Sequence, residues 1–452
     1  MLSKRLTYFF CAAIFALSCA APEAPPPDTP NVVLVVVDTL GARHVGAWGG
    51  EAETPRIDRL AKTGCRFSRA FAPTPWTQPT IASLFTGRMP HEHGVVRLFD
   101  SLDESHVTLA ERLADAGYDT AAVVSHHLIG RKYGYGQGFD VYDDAIGDDN
   151  EGITGGAVTD QAIAWLRSRG DDEDPYFLFV HYFDPHMPYL DHDDWALTVP
   201  GYYGPIRPGM GAWEMRELRG GLDEDDRRQL RALYLEEIAY TDREVGRLLD
   251  VVDAMGEDTM TLFTADHGEE LLEHGWIGHT RTLFDELLHV PLVVAKPGKI
   301  APCEIDVPVS VLDLMPTILD VAQAPAERET TGRSLLPLVE GEELAMVDLF
   351  AEVSFTPWSN KPERVEKTAF ATALIRGDLK IIHDLGAGRW SLYDRGVDPA
   401  EQSNLFGRHP ASRELKRDLM QWSADRKLDD SGPRLEPDTE TVERLRALGY
   451  AM

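Results

Sequence analysis

A chain of 452 residues, 43% of them hydrophobic, is long enough for two packed units and apolar enough for a large core, which excludes global disorder. Its 44 basic against 75 acidic residues give a net charge of −31, which excludes nucleic acid as a partner, because phosphate backbones are held by Lys and Arg. An anionic substrate meets a repulsive far field and needs a local metal or cationic cluster to hold it. The acidic residues are spread along the chain, as on a solvated surface.

Residues 1–30 read as an export segment and tether outside the fold. A charged start, Met1 to Leu6, precedes a short apolar stretch, Thr7 to Leu17, too short for a membrane span. Ala16-Leu17-Ser18-Cys19 is similar to a bacterial lipoprotein cleavage box, which would make Cys19 a lipidated first residue and Pro22 to Pro30 a stiff extended tether. An ordinary signal peptide with an incidental cysteine is the other reading. Both place the protein outside the cytoplasm, in the periplasm or anchored at the outer membrane, touching membrane only through that lipid. Setting Cys11 and Cys19 aside leaves Cys65 and Cys303, too few for a disulfide framework.

Asn31 to Val37 is a continuous apolar, β-branched run, the pattern of a central strand covered on both faces, and it stops at Asp38-Thr39. Thr54-Pro55 starts a helix, with Thr54 as cap and Pro55 in the first turn. The prolines from Pro73 to Pro79 predict a turn and then a helix over about Pro79 to Phe85. Thr77 therefore stands just before a helix N-terminus, either as a plain N-cap or as an oxygen nucleophile favoured by the dipole. Further helices are expected over Val107–Tyr118, Val158–Ser168, Glu224–Met255 and Leu312–Ala322, with strands over Thr120–Val124, Tyr176–Val180, Thr259–Thr264 and Val290–Ala295.

Thr259–Thr264 runs into Ala265-Asp266-His267-Gly268, so a second buried strand ends in metal-binding side chains. Chemistry in open α/β sheets collects at the carboxyl ends of strands. Asp38, Asp266 and His267 thus predict a composite metal site at one sheet edge, in which a histidine ligand favours Mn²⁺ or Zn²⁺. The alternation of strand and helix from Asn31 to about Ala322 predicts an α/β fold, a large mostly parallel sheet flanked by helices, over 31–330. Beyond it, over 331–452, a hairpin across Gly377-Asp378, a strand near Trp390–Tyr393 and a helix over Ser412–Ala424 predict a smaller C-terminal α+β subdomain.

Taken in order, Asn31–Asp38, Thr54–Leu60, Pro79–Arg88, Pro90–Gly94, Phe177–Tyr189, Glu236–Leu248, Thr264–Glu269, Gly278–Pro291, Gly332–Pro337 and Leu392–Leu405 resemble the sulfatase family of the alkaline-phosphatase superfamily. The resemblance implies one divalent cation, habitually Ca²⁺, on Asp38, Asp266 and His267. It implies that His186 and His279 contact the ester or its leaving group, and that His126 or His127 matches a Lys/His group after the third strand. Two departures stand out. Thr39 replaces the second of two adjacent aspartates. The Cys/Ser-x-Pro-x-Arg signature reads Thr77-Gln78-Pro79-Thr80-Ile81, so no formylglycine is expected.

Unmodified threonine is the nucleophile in phosphodiesterase and phospho-group transferase relatives, so the resemblance implies a hydrolase of sulfate or phosphate esters acting through Thr77, itself beside the metal. The substrate would be a small-molecule, glycan or lipid ester. The alternatives are a transferase placing a phospho-group on an envelope lipid or glycan, and a non-catalytic anion-binding protein.

Overall fold

The computed structural model describes residues 29–148, 154–170, 173–192, 195, 199–256, 258–325, 330–356, 369–424, 426 and 432–450. Residues 1–28 of the expected export segment and tether, Cys19 among them, lie outside these. Among the described residues no helix is long and apolar enough to cross a membrane.

The larger sheet is built from β1 (Asn31–Val37), β2 (Cys65–Phe71), β3 (Asp119–Val124), β4 (Val141–Asp143), β5 (Tyr176–Tyr182) and β6 (Thr259–Ala265). After a small ribbon of β7 (Glu270–Leu271) and β8 (Ile277–Gly278), it continues with β9 (His289–Ala295), β10 (Cys303–Ile305) and β11 (Val309–Ser310). The order is β10-β2-β9-β6-β1-β5-β3-β4, with β11 also on β2. All pairs are parallel except those of β9, which runs antiparallel to β2 and β6. The mostly parallel sheet is therefore as expected.

β1 is central because Val32 to Val37 can be buried on both faces, and all six are fully buried. Helices α1 (Pro55–Thr63), α2 (Thr77–Thr86), α3 (Leu109–Asp115), α4 (Gly155–Ser168), α5 (Ala212–Leu218), α6 (Glu224–Met255) and α7 (Leu314–Val321) accompany the sheet. A separate antiparallel sheet orders β12 (Leu349–Phe355), β13 (Ala369–Arg376), β14 (Leu379–Asp384) and β15 (Arg389–Asp394), and α8 (Ser412–Ala424) packs on it. The sequence reading had the last three strands and missed β12. It also missed β2 and a helix, α9 (Thr439–Ala447), which leaves the small sheet and packs on α5.

Two local expectations are corrected. Thr54 does not cap α1: its hydroxyl binds Gly46 N at 2.9 Å and Asp58 Oδ1 at 2.9 Å. The free N–H groups of Arg56 and Ile57 donate instead to Asp242 of α6, at 3.0 and 2.8 Å, a cap delivered across 185 residues or more. Helix α2 begins at Thr77, two residues earlier than read, with Trp76 at the cap. Strand β8 lies within Glu273–Thr280. Cys65 and Cys303 stand opposite one another in the β2–β10 register and form a disulfide.

A buried ion cluster links the small sheet to the loop before β9. Lys380 of β14, fully buried, is 2.7 Å from both Asp285 and Glu401, and Arg395 reaches Asp285 at 3.1 Å.

The interhelix cap is testable by itself. Asp242→Ala is expected to lower unfolding stability by about 0.5–2 kcal/mol, the usual cost of a lost N-cap, whereas Thr54→Val should be felt chiefly in the 46–58 loop. Urea titration of the two variants distinguishes these outcomes.

Candidate active site

Sheet register builds the site. In β1 and β6, Val37 pairs with Ala265, so Asp38 and Asp266 follow at the same level on neighbouring parallel strands. In β5, His181 pairs with Val36 of β1 and Val124 of β3. Side chains alternate faces with period two. Val36 and Asp38, His181, and Val124 and His126 therefore share one face.

The donor set is compact. One ligand atom each from Asp38, Asp266 and His267 lies within 4.8 Å of the others. Thr77 Oγ1 sits 3.2 Å from His267 Nε2 and 3.4 Å from Asp38 Oδ2. His267 Nδ1 donates to the Gly268 carbonyl at 2.9 Å, which leaves Nε2 as a lone-pair donor to a metal. Asp38, Thr77, Asp266 and His267 are all fully buried.

Buried carboxylates need compensation, and here they lack it. Asp38 Oδ1 and Asp266 Oδ2 have no hydrogen-bond partner among the described residues. Burial, then the Asp266 and Glu269 carboxylates, push Asp38 well above the usual carboxylate range. Burial also acts against ionised Asp266, but the His267 and His181 imidazoles hold it below its ordinary value. Two unpaired carboxylate oxygens, one imidazole lone pair and a hydroxyl converging on one point fit a divalent cation.

Backbone strain marks the same place. Thr39, β-branched, has φ +55°, a conformation such residues avoid. It is held by its N–H to Asp266 Oδ1 at 3.2 Å and by the Tyr234 hydroxyl on its carbonyl at 2.6 Å. Thr39 thus serves through its backbone.

His186 and His279 lie beside this group with ring centroids 4.9 Å apart, and His279 is 4.6 Å from the His267 ring. His186 sits between the cis peptides Asp184–Pro185 and Met187–Pro188, with Nδ1 on the Met187 carbonyl at 2.5 Å. His279 Nδ1 meets Glu269 Oε1 at 2.9 Å. Burial and neighbouring imidazoles lower both histidines well below the usual range, so they stand neutral. Burial raises Glu269 to about 8.

Of the pair left open by sequence, His126 points in, with Nε2 4.0 Å from Asp38 Oδ2, while His127 turns to Lys132 at 2.8 Å. Sequence reasoning missed four participants. His181 Nε2 is 3.9 Å from Asp38 and 4.0 Å from Asp266. Glu269 orients His279. Arg216, a buried guanidinium near Glu269, gives Nε to the Ile277 carbonyl and Nη1 to that of Gly449. Tyr450 places its hydroxyl 2.8 Å from His279 Nε2 and 3.1 Å from His186 Nε2. A lone histidine in the apolar strand Tyr176–Tyr182 was the readable signal for His181; nothing local announced Tyr450.

The carboxyl edge of the α/β sheet thus carries a buried oxygen-and-nitrogen donor set that can hold a cation, with a hydroxyl among the donors and the neutral imidazoles of His186 and His279 alongside. The sulfatase family model matches residues 30–324, and the C-terminal model of N-sulphoglucosamine sulphohydrolase matches 272–427. This chain belongs to the sulfatase family. It is 26% identical to an N-acetylglucosamine-6-O-sulfatase of Bacteroides thetaiotaomicron, over 91% of this chain and 88% of that one. It is 28% identical to a choline-sulfatase of Rhizobium meliloti, over 83% and 82%. Its fold matches a phosphonate monoester hydrolase of Agrobacterium radiobacter with TM-score 0.72 at 23% identity, over 87% of this chain and 95% of that one.

Removal of a cation from this donor set should unmask the repulsion between Asp38 and Asp266. Chelation is expected to lower the melting temperature of the protein, by the equivalent of about 2.7 kcal/mol if the metal had been at a hundredfold its Kd. Asp266→Asn should bind less than stoichiometric metal by elemental analysis, and its melting temperature should no longer respond to the chelator.

Proposed function

We propose that this protein is an exported sulfatase-family hydrolase that cleaves a monoanionic sulfate or phosphorus ester through the unmodified hydroxyl of Thr77. One observation carries the reading: Thr77 Oγ1, at the first residue of a buried helix, lies within 3.4 Å of both Asp38 and His267. Ile81, where relatives supply a guanidinium to a formylglycine, is fully buried and apolar, which supports a site built around threonine.

Asp38, Asp266 and His267 would hold the cation, which when bound supplies positive charge for the ester and acidifies a hydroxyl beside it. Thr77 Oγ1 forms the new bond to sulfur or phosphorus as the bond to the alcohol oxygen breaks. The Thr77 proton leaves along its hydrogen bond to Asp38 Oδ2, and His279 or His186 assists the departing oxygen, which takes up a proton. Water then releases the anion and restores Thr77. The placement of Thr77 at a helix N-terminus favours the ionised oxygen, against the cost of its burial.

Charge selects the substrate. Arg216 spends Nε and Nη1 on backbone carbonyls, and His186 and His279 are neutral, so these groups offer little charge to offset a dianion. A sulfate monoester, phosphate diester or phosphonate monoester carries one negative charge, and these are favoured over a phosphate monoester. The named relatives include enzymes of the first and last kinds.

Export is supported by the apolar stretch Thr7 to Leu17 and by the Cys65–Cys303 disulfide, which persists in oxidising compartments. A mature N-terminus at a lipidated Cys19, found by mass spectrometry of the membrane fraction, is the expected result.

The mechanism is tested with an aryl sulfate, an aryl phosphate diester and an aryl phosphonate monoester in the presence of Ca²⁺, Mn²⁺ or Zn²⁺. Thr77→Ala is expected to lower kcat on the accepted substrate by about 10³-fold or more, while Thr77→Ser should retain part of it. Turnover that survives in Thr77→Ala places the nucleophile elsewhere. Metal binding without turnover of any ester would favour an anion-binding protein.

A further inference from the structure

Under the reading of His186 and His279 as the groups that face the departing oxygen, that oxygen must come within about 2.6–3.2 Å of their free nitrogens. Both positions are taken. The Tyr450 hydroxyl lies 2.8 Å from His279 Nε2 and 3.1 Å from His186 Nε2, so a phenolic oxygen of the protein stands where the alcohol oxygen of a substrate belongs. The Tyr450 ring stacks on that of His186 with centroids 5.7 Å apart and is itself fully buried. With it in place, Thr77, His186 and His279 are shut from solvent. An ester cannot reach Thr77 while Tyr450 stays.

The segment that carries Tyr450 is attached differently from the rest of the fold. Residues 432–435 are tied to the main body by backbone bonds: Gly432 N to Gly94 O at 2.7 Å, Ser101 N to Pro433 O at 2.7 Å and Leu435 N to Phe99 O at 2.8 Å. Beyond them no strand pairing is present among the described residues. Helix α9 is held by the buried side chains Val442, Leu445 and Leu448 and by a contact of 3.3 Å between Thr441 and His127. The last turn before Tyr450 depends on one fit. Gly449 has φ +83°, its carbonyl accepts from Arg216 Nη1 at 2.9 Å, and a Cβ there would meet that nitrogen at 2.5 Å and Ala212 Cβ at 2.7 Å.

We propose that residues 439–450 form an autoinhibitory plug: Tyr450 occupies the leaving-group position, and substrate enters only when the segment swings out about residues 436–438. The closed state competes with substrate for the same two nitrogens. Ligand affinity is multiplied by the open population, and a change that undocks the plug restores it.

Two point variants of the full chain test this, each loaded with saturating metal. Tyr450→Ala removes the tip. Gly449→Ala keeps the phenol and spoils the turn that seats it. For an open form populated at about 1–10%, kcat/KM on a small aryl ester is expected to rise about 10–100-fold in both, with the Kd for inorganic sulfate, measured by calorimetry, falling by the same factor. If the parent chain turns over an ester and neither variant is faster nor binds sulfate more tightly, the plug is wrong. A fall in kcat in Tyr450→Phe, with KM unchanged, would also overturn it, because Tyr450 would then serve the reaction. If no form of the protein cleaves any ester, sulfate affinity decides: tighter binding in both variants sustains the plug while the hydrolase reading fails, and unchanged binding removes the plug.

Discussion

The carboxylates of Asp38 and Asp266 are forced together by hydrogen-bond register. Neighbouring parallel strands lie about 4.8 Å apart, and with Val37 opposite Ala265 the next residue on each strand must share one level of the sheet edge. Two negative charges at that spacing, out of contact with water, cannot be stable alone. The His267 nitrogen, the imidazoles of His181 and His126 and the Thr77 hydroxyl are gathered around this repulsion, an arrangement that fits a divalent cation. The strain at Thr39 is part of the same arrangement. The chain must turn sharply after Asp38, and Tyr234 from α6 with Asp266 from β6 hold the turn against the preference of a β-branched residue.

Thr77 reaches the edge by a different route. Strand β2 ends at Phe71 on the same side as β1, and the short stretch to Trp76 brings α2 in with its first residue over the carboxylates. All ten residues of α2 are buried, so its position is set by packing on every side and not by one amphipathic face. A hydroxyl carried on such a helix has little freedom, as the role proposed for it would require. The same immobility explains why Ile81 can sit one turn on: the core accepts an apolar branch where it would penalise an unpaired guanidinium.

The small antiparallel sheet is more than an appendage. Lys380, Asp285, Glu401 and Arg395 form a buried ion group between it and the segment leading into β9, the same segment that begins with Asp266 and passes through Glu269 and His279. Charges so deeply buried are paired or not tolerated, so this contact fixes the relative placement of sheet and site loop. Helix α9 then returns from the small sheet to the main one and ends in the chamber. The site is thus enclosed by pieces from widely separated parts of the chain.

What the residues disclosed unaided was whatever depended on short-range pattern. Continuous apolar runs marked β1, β5, β6 and β9, and polar residues at the ends of two of them located Asp38, Asp266 and His267. Thr77 was singled out by the resemblance to the sulfatase signature and not by local pattern. Pattern failed where partners are remote. The cap of α1 comes from Asp242, beyond reach of any local rule. Strand β2, with Arg66, Ser68 and Arg69 among its residues, does not look like a strand until its neighbours are known. His181 and His126 become site residues only once register sets them beside Asp38. Tyr450 becomes one only because α9 folds back across more than 170 residues to His279. Sequence by itself determined which strands and donor types exist, since burial and turn chemistry act over a few residues. Only the tertiary structure decided which donors meet and what closes over them, because hydrogen-bond register and side-chain packing act between residues that the chain keeps far apart.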